Sequence, residues 1–129
     1  TLYHSDSIRR TVYQYAVEDD GTLGEKRVFA KVDTGGPDGL VVSADGRVWV
    51  ALAGGGHGVS VFNPDGSASH FIEIPQPMCT SVCFGGEDLR MLFIVSGSEG
   101  MGTDKAGAVY CTRTDVPGLM VPLARVSLR

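Results

Sequence analysis

Short apolar runs alternate with turn residues along the chain, and the spacing is that of strands. No window longer than about 12 residues sustains a 3.6-residue period, whereas period-two or fully apolar short runs bounded by Gly, Pro and Asp recur throughout. Two series of such runs repeat. Leu2-Tyr3-His4-Ser5-Asp6-Ser7, Val48-Trp49-Val50-Ala51-Leu52-Ala53 and Leu92-Phe93-Ile94-Val95-Ser96-Gly97 start 46 and 44 residues apart. Val12-Tyr13-Gln14-Tyr15, Val59-Ser60-Val61-Phe62 and Val109-Tyr110-Cys111-Thr112 start 47 and 50 apart. Asp20-Gly21 and Asp65-Gly66 follow second-series runs, and Asp45-Gly46 precedes the Trp49 run, which is where tight hairpin turns belong. A period of about 40–50 residues is that of four-stranded propeller blades.

On this period the middle repeat predicts four strands, at 39–43, 47–53, 58–63 and 69–74. The third predicts strands at 80–84, 91–97 and 107–112, with a weak fourth near 121–126 after Pro117-Gly118. The first predicts 1–7, 11–17 and 26–32 but has nothing ahead of them to serve as its innermost strand. The expectation is an all-β half-propeller, a single domain over 1–129 built of about three antiparallel blades (1–33, 34–77 and 78–129), with 39–43 and 80–84 innermost. Trp49, Val50, Phe62, Phe84 and Ile94 occupy equivalent apolar positions and are expected between blades. Propellers close with roughly four to eight blades, so an arc of three exposes a face and a strand edge at each end. A stable isolated monomer is therefore disfavoured, and the simplest closure is a homodimer making six blades.

Composition narrows the classes. The 129 residues carry 15 acidic against 11 Lys+Arg side chains, a formal charge of −4, with 43% hydrophobic and 20% charged residues. That is enough to bury a core without metal or disulfide staples. The basic residues are scattered rather than clustered, which excludes a nucleic-acid surface, and no apolar stretch approaches the length of a membrane span. The 18 glycines fit many tight turns. Cys79, Cys83 and Cys111 are an odd set without metal-ligand spacing, which points to a reducing, cytoplasmic setting rather than a disulfide framework. Cys79 and Cys83, four apart, are expected on one strand face, with Cys83 a small core residue. Residues 1–10 lack the pattern of a signal peptide, and no initiating Met is present, as in a trimmed chain or a fragment.

The candidate chemistry is sparse. Asp38 follows a Gly-Gly-Pro turn and precedes the apolar Leu40-Val41-Val42, where a loop enters an inner strand. A carboxylate there suits oxygen coordination of a divalent cation or a general base; capping the turn is the competing role. His57 in Gly54-Gly55-Gly56-His57-Gly58 lacks a P-loop ending and reads as a hairpin, and His4 and His70 have no spaced partner. Ser81 and Ser96 lie outside any Gly-x-Ser-x-Gly context. Glu18-Asp19-Asp20-Gly21 lacks the further ligands of a calcium loop.

One ordered set of motifs carries a resemblance. Gly36-Pro37-Asp38-Gly39-Leu40, Ala44-Asp45-Gly46-Arg47-Val48-Trp49-Val50-Ala51, Gly55-Gly56, Phe62-Asn63-Pro64-Asp65-Gly66 and Thr80-Ser81-Val82-Cys83-Phe84-Gly85-Gly86, with Leu2 to Ser7 and Arg27-Val28-Phe29-Ala30, resemble the C-terminal half of the gluconolactonase, regucalcin and senescence-marker-protein family. The resemblance implies a six-bladed propeller that hydrolyses a sugar lactone or related ester with one divalent cation, calcium or zinc, in its channel. It implies Asp38 as cation ligand and catalytic carboxylate, the other ligands, a Glu and an Asn, lying in the half not represented here. Asp6 and Ser7 match an Asp-Ser pair near the substrate pocket; a polar turn before Arg9-Arg10 is their alternative reading. The competing functions are a non-catalytic propeller module that binds a small molecule or protein partner, and a truncated piece of a lactonase.

Overall fold

The computed structural model describes residues 1–98 and 107–122, which form ten strands and, among the described residues, no helix. The strands are β1 (Leu2–Asp6), β2 (Thr11–Tyr15), β3 (Arg27–Lys31), β4 (Gly36–Val42), β5 (Val48–Ala53), β6 (Gly58–Phe62), β7 (Ala68–Glu73), β8 (Cys79–Gly85), β9 (Met91–Ser96) and β10 (Val109–Arg113). They make three antiparallel sheets in chain order, β1-β2-β3, β4-β5-β6-β7 and β8-β9-β10. These are three blades of a propeller arc. The first strands of the second and third blades, β4 and β8, pack side by side, and β1 packs on the other flank of β4. The weak fourth strand expected at 121–126 lies, apart from its first two residues, outside the described residues.

Why the middle blade holds the arc together follows from β5. Its six residues Val-Trp-Val-Ala-Leu-Ala are apolar without alternation, the signature of a strand covered on both faces. Val48, Val50 and Leu52 join Val12, Phe29, Ala30 and Val32 in the core between the first two blades. Trp49 and Ala51 point the other way and join Val59, Val61, Ile74, Cys79, Val82, Leu92 and Ile94 between the second and third. Each fully buried aliphatic side chain contributes roughly 1.5–3 kcal/mol of burial free energy. Trp49, Val50, Phe62 and Ile94 are all at most 5% exposed, as their repeat positions predict. Phe84 is half-buried and meets the Trp49 ring edge-on at 5.4 Å. The indole Nε1 donates to Ser43 Oγ at 2.9 Å, and that hydroxyl donates to Asp45 Oδ1 at 2.6 Å, so the Asp-Gly turn is tied into the core.

Two bulges break the strand alternation. In β4 the register steps between Pro37, opposite Leu52, and Leu40, opposite Val50, so Asp38 and Gly39 together face Ala51. The strand therefore starts at Gly36, ahead of the expected 39. In β8 the register steps between Cys79 and Ser81. This corrects the reading of the cysteines: Cys79 is fully buried, but the inserted residue shifts parity and leaves Cys83 exposed on the opposite face instead of in the core. Cys111 is exposed as well. No helix among the described residues is long and apolar enough to cross a membrane.

Candidate functional site

Asp38 is placed by its two glycine neighbours. A Cβ on Gly36 would lie 2.9 Å from the Ser7 carbonyl oxygen, so only glycine lets the end of β1 sit against the start of β4. A Cβ on Gly39 would lie 2.6 Å from Ser81 Oγ and 2.8 Å from Ser81 Cα, so only glycine lets β8 close in from the other side. Between them Pro37 is buried and Asp38 is carried on the bulge, a device that re-aims a side chain out of the regular ladder. Asp38 is exposed along the strand, yet the surrounding inner strands strip enough water from its carboxyl to push it above the ordinary carboxylate value. A general base gains from a shift in that direction.

Ser7 belongs to the same corner. Its hydroxyl donates to the Pro37 carbonyl at 2.8 Å, pinning the β1–β2 hairpin to the residue before Asp38. Asp6 does different work: its carboxylate accepts from the Arg9 backbone N–H and from Arg9 Nη1, both at 2.9 Å, and those bonds hold it below the usual carboxylate range. Asp6 thus shapes the hairpin whose neighbouring residue reaches the Asp38 loop. An open groove of about 430 Å³ lies here, lined by Ser7, Arg10, Gly35, Gly36, Gly54 and Met78 among others. Asp38 is not among the lining residues; it stands two positions beyond Gly36 on β4.

Arg10 and Met78 are site-side residues that pattern reading did not single out. Arg10 adopts a left-handed backbone (φ 51°) and donates through Nη1 to the Asp33 carbonyl at 3.0 Å, at the lip of the groove. Met78 Sδ accepts from the Gly54 N–H at 3.4 Å. The signal that could have found them is their place at the ends of strands on the edge that carries Ser7 and Asp38.

The remaining candidates sit apart. The Cys79 thiol is pushed up to about 11, mainly by burial, with the Asp38 carboxylate adding and a backbone hydrogen bond to Leu52 opposing, so it is protonated and inert near neutrality. His57 is exposed in a hairpin, His4 lies near Tyr13 and His70 stands edge-on to Trp49 at 5.4 Å. Asp20 accepts from the N–H and hydroxyl of Thr22, a turn rather than a ligand set. Among the described residues no three His, Cys, Asp or Glu side chains converge on a point that could hold a metal ion. Asp38 is a lone carboxylate, so these residues by themselves do not make up a divalent-cation site.

The chain as a whole resembles known proteins. The chain is 38% identical over 130 residues to 6-deoxy-6-sulfogluconolactonase of Pseudomonas putida, an alignment covering 94% of this chain and 44% of that protein. It is 34% identical to the pentonolactonase XacC of Haloferax volcanii (99% and 47%) and 31% identical to regucalcin of Xenopus laevis (85% and 40%). Its structure superposes on a calcium-binding regucalcin of Agrobacterium tumefaciens with a TM-score of 0.85 at 26% identity, over 96% of this chain and 45% of that one. The chain spans under half the length of these relatives. Residues 1–98 match the model of the SMP-30/gluconolactonase/LRE-like region, and the chain belongs to that family.

Proposed function

We propose that this chain forms one side of a channel in which water opens a sugar lactone or related cyclic ester, with Asp38 the carboxylate that acts on the water. The observation that carries the reading is the bulge: it holds an isolated, partly desolvated carboxylate on an inner strand, between β1 and β8 and next to an open groove. The names of the relatives, two of them lactonases acting on sugar-derived lactones, support the substrate class. In lactone opening the water oxygen bonds to the carbonyl carbon and the ring C–O bond breaks. The proton lost by water ends on the departing ring oxygen. Asp38 is suited to take that proton and return it, and its raised carboxyl makes it the better base for the task. Ser7 holds the Pro37 carbonyl and so the Asp38 loop, and Asp6 holds the hairpin that carries Ser7. A divalent cation, calcium or zinc, would polarise the carbonyl when bound; of the described residues it would take Asp38, and it would need further ligands beyond them.

A second reading, a propeller module that binds without catalysis, is favoured by one observation: among the described residues Asp38 joins no group of three or more His, Cys, Asp or Glu side chains that could hold a metal ion. Hydrolysis of gluconolactone by the purified chain, corrected for the spontaneous reaction and measured with and without chelator, separates the two. Turnover lost in Asp38→Ala supports the hydrolytic reading, and loss on chelation adds the cation to it. Turnover surviving both changes removes Asp38 from the chemistry, and no turnover in the unmodified chain supports binding alone.

A further inference from the structure

The groove beside the Asp38 strand is walled by the β1–β2 turn, the start of β4, the loop after β5 and the residue before β8, all interior to the chain. At about 430 Å³ it has the size of a cleft that takes a small molecule. Apart from Ser7 and Arg10 its lining is glycine and apolar side chains, and the Ser7 hydroxyl is already donated to the Pro37 carbonyl. Among the described residues, then, Arg10 is the one charged side chain that the groove presents.

The guanidinium of Arg10 differs from its neighbours in having no counter-charge. Arg9 is paired with Asp6 at 2.9 Å, and Arg27, Arg47 and Arg113 each meet a carboxylate. No carboxylate lies within ion-pair distance of Arg10 among the described residues. Its Nη1 donates to the Asp33 carbonyl at 3.0 Å, and its other N–H groups have no acceptor among the described residues. A guanidinium offers five donors in a planar fork that matches two oxygens of one anionic group. In a chain of formal charge −4, this unpaired cation makes the groove locally attractive to an anion.

The side chain is also anchored. Arg10 holds a left-handed backbone (φ 51°), its N–H donates to the Ser7 carbonyl at 3.3 Å and its carbonyl accepts from the Val32 N–H at 3.0 Å. An arginine fixed at both backbone and guanidinium loses little further freedom when a ligand arrives. Gly36 lines the groove and Asp38 stands two positions along the same strand, at most about 7 Å of backbone away. A single sugar ring covers that distance.

We propose that the groove is a subsite for an anionic substituent, a phosphate or sulfonate at the end of the sugar remote from the lactone carbonyl, and that Arg10 sets this specificity. The position of the carbonyl rests on the hydrolytic reading of Asp38, whereas the preference for the anion does not.

Sugars that cannot be hydrolysed test the subsite apart from the chemistry. Titration calorimetry of the whole chain with glucose, glucose 6-phosphate, 6-deoxy-6-sulfoglucose and inorganic phosphate compares one scaffold with and without the charge. At least one anionic sugar should bind at least about tenfold tighter than glucose, the worth of one hydrogen bond to a charged group. The anion that gains names the substituent, and inorganic phosphate alone should bind more weakly than the sugar phosphate. Arg10→Gln, and Arg10→Asn as a residue that tolerates the left-handed backbone, should each bring the anionic sugars to the affinity of glucose. Arg27→Gln, on the outer strand β3, should keep the ratio, and circular dichroism checks that each variant folds. Equal affinity for all the sugars, binding of none of them, or a preference that survives both Arg10 substitutions would overturn the proposal. Inorganic phosphate bound as tightly as the sugar phosphate would overturn it in favour of a plain anion site. A chain that binds the anionic sugars through Arg10 yet hydrolyses no lactone would sink the hydrolytic reading and leave the subsite standing.

Discussion

Asp38 is the residue on which structure and chemistry pull in opposite directions. Its carboxyl is raised by desolvation, so folding favours the protonated form over the charged one. The linkage sign follows. Below the unfolded value of 3.8 the group is protonated in both states and contributes nothing; as pH rises above it the unfolded state ionises first, so stability falls until pH passes the raised native value and stays reduced beyond it. Asp38→Asn is therefore expected to raise the melting temperature at pH 7, with the gain shrinking to nothing as pH falls below 3.8. A variant less stable than the parent at pH 7 would show that the carboxylate is held by favourable contacts. Asp88 and Asp115 are the opposite case. Arg113 and Arg47 hold their carboxyls below the usual value, so the stability they add is present above 3.8 and lost as pH falls through the lowered folded values. Asp115→Asn should flatten that acid limb, read from thermal melts between pH 2 and 5, a window set by the unfolded carboxylate value of about 3.9 and the lowered native ones.

At the scale of the element, β5 was the most legible piece of the sequence and the two bulges the least. A run of six apolar residues with a Trp at its second position can only be a strand covered on both sides, and both covers are found. Trp49→Ala is expected to cost about 3–5 kcal/mol in denaturant titration, and Phe84→Ala, half-buried against the same ring, more than about 1 kcal/mol. The bulges left no mark in the pattern, because one inserted residue in β4 or β8 changes parity without changing composition. That is why Cys83 read as a core residue and is exposed, and why strand β4 begins before Asp38 rather than after it. Gly39 carries the consequence for the site. Gly39→Ala should push β4 away from β8 and destabilise the chain. Ser81→Gly should restore part of the loss, since it removes the Oγ and Cβ clashes but leaves the approach to Cα. Full additivity of the two losses would contradict the close approach of these strands.

For the molecule as a whole, the blade period was written in the chain and the closure was not. Repeats 44 to 50 residues apart specify successive blades, and three antiparallel sheets in chain order are what they build. The site was legible only where one residue type in one turn suffices, as at Asp38. Ser7 and Ser81 come to it from segments far apart in sequence, and only the packing of β1 and β8 against β4 gathers them. In a chain covering under half of its relatives' length, Asp38 is the carboxylate that the described residues place where the reaction is proposed.

The pH–rate profile of lactone hydrolysis, recorded for the unmodified chain and for Asp38→Asn after subtraction of the uncatalysed reaction, tests that role most directly. The expected rate rises with pH through an acid limb whose midpoint lies above 3.8, the ordinary carboxylate value, and that limb disappears in the Asn variant together with most of the rate. An unchanged profile in Asp38→Asn, at an unchanged rate, would contradict it.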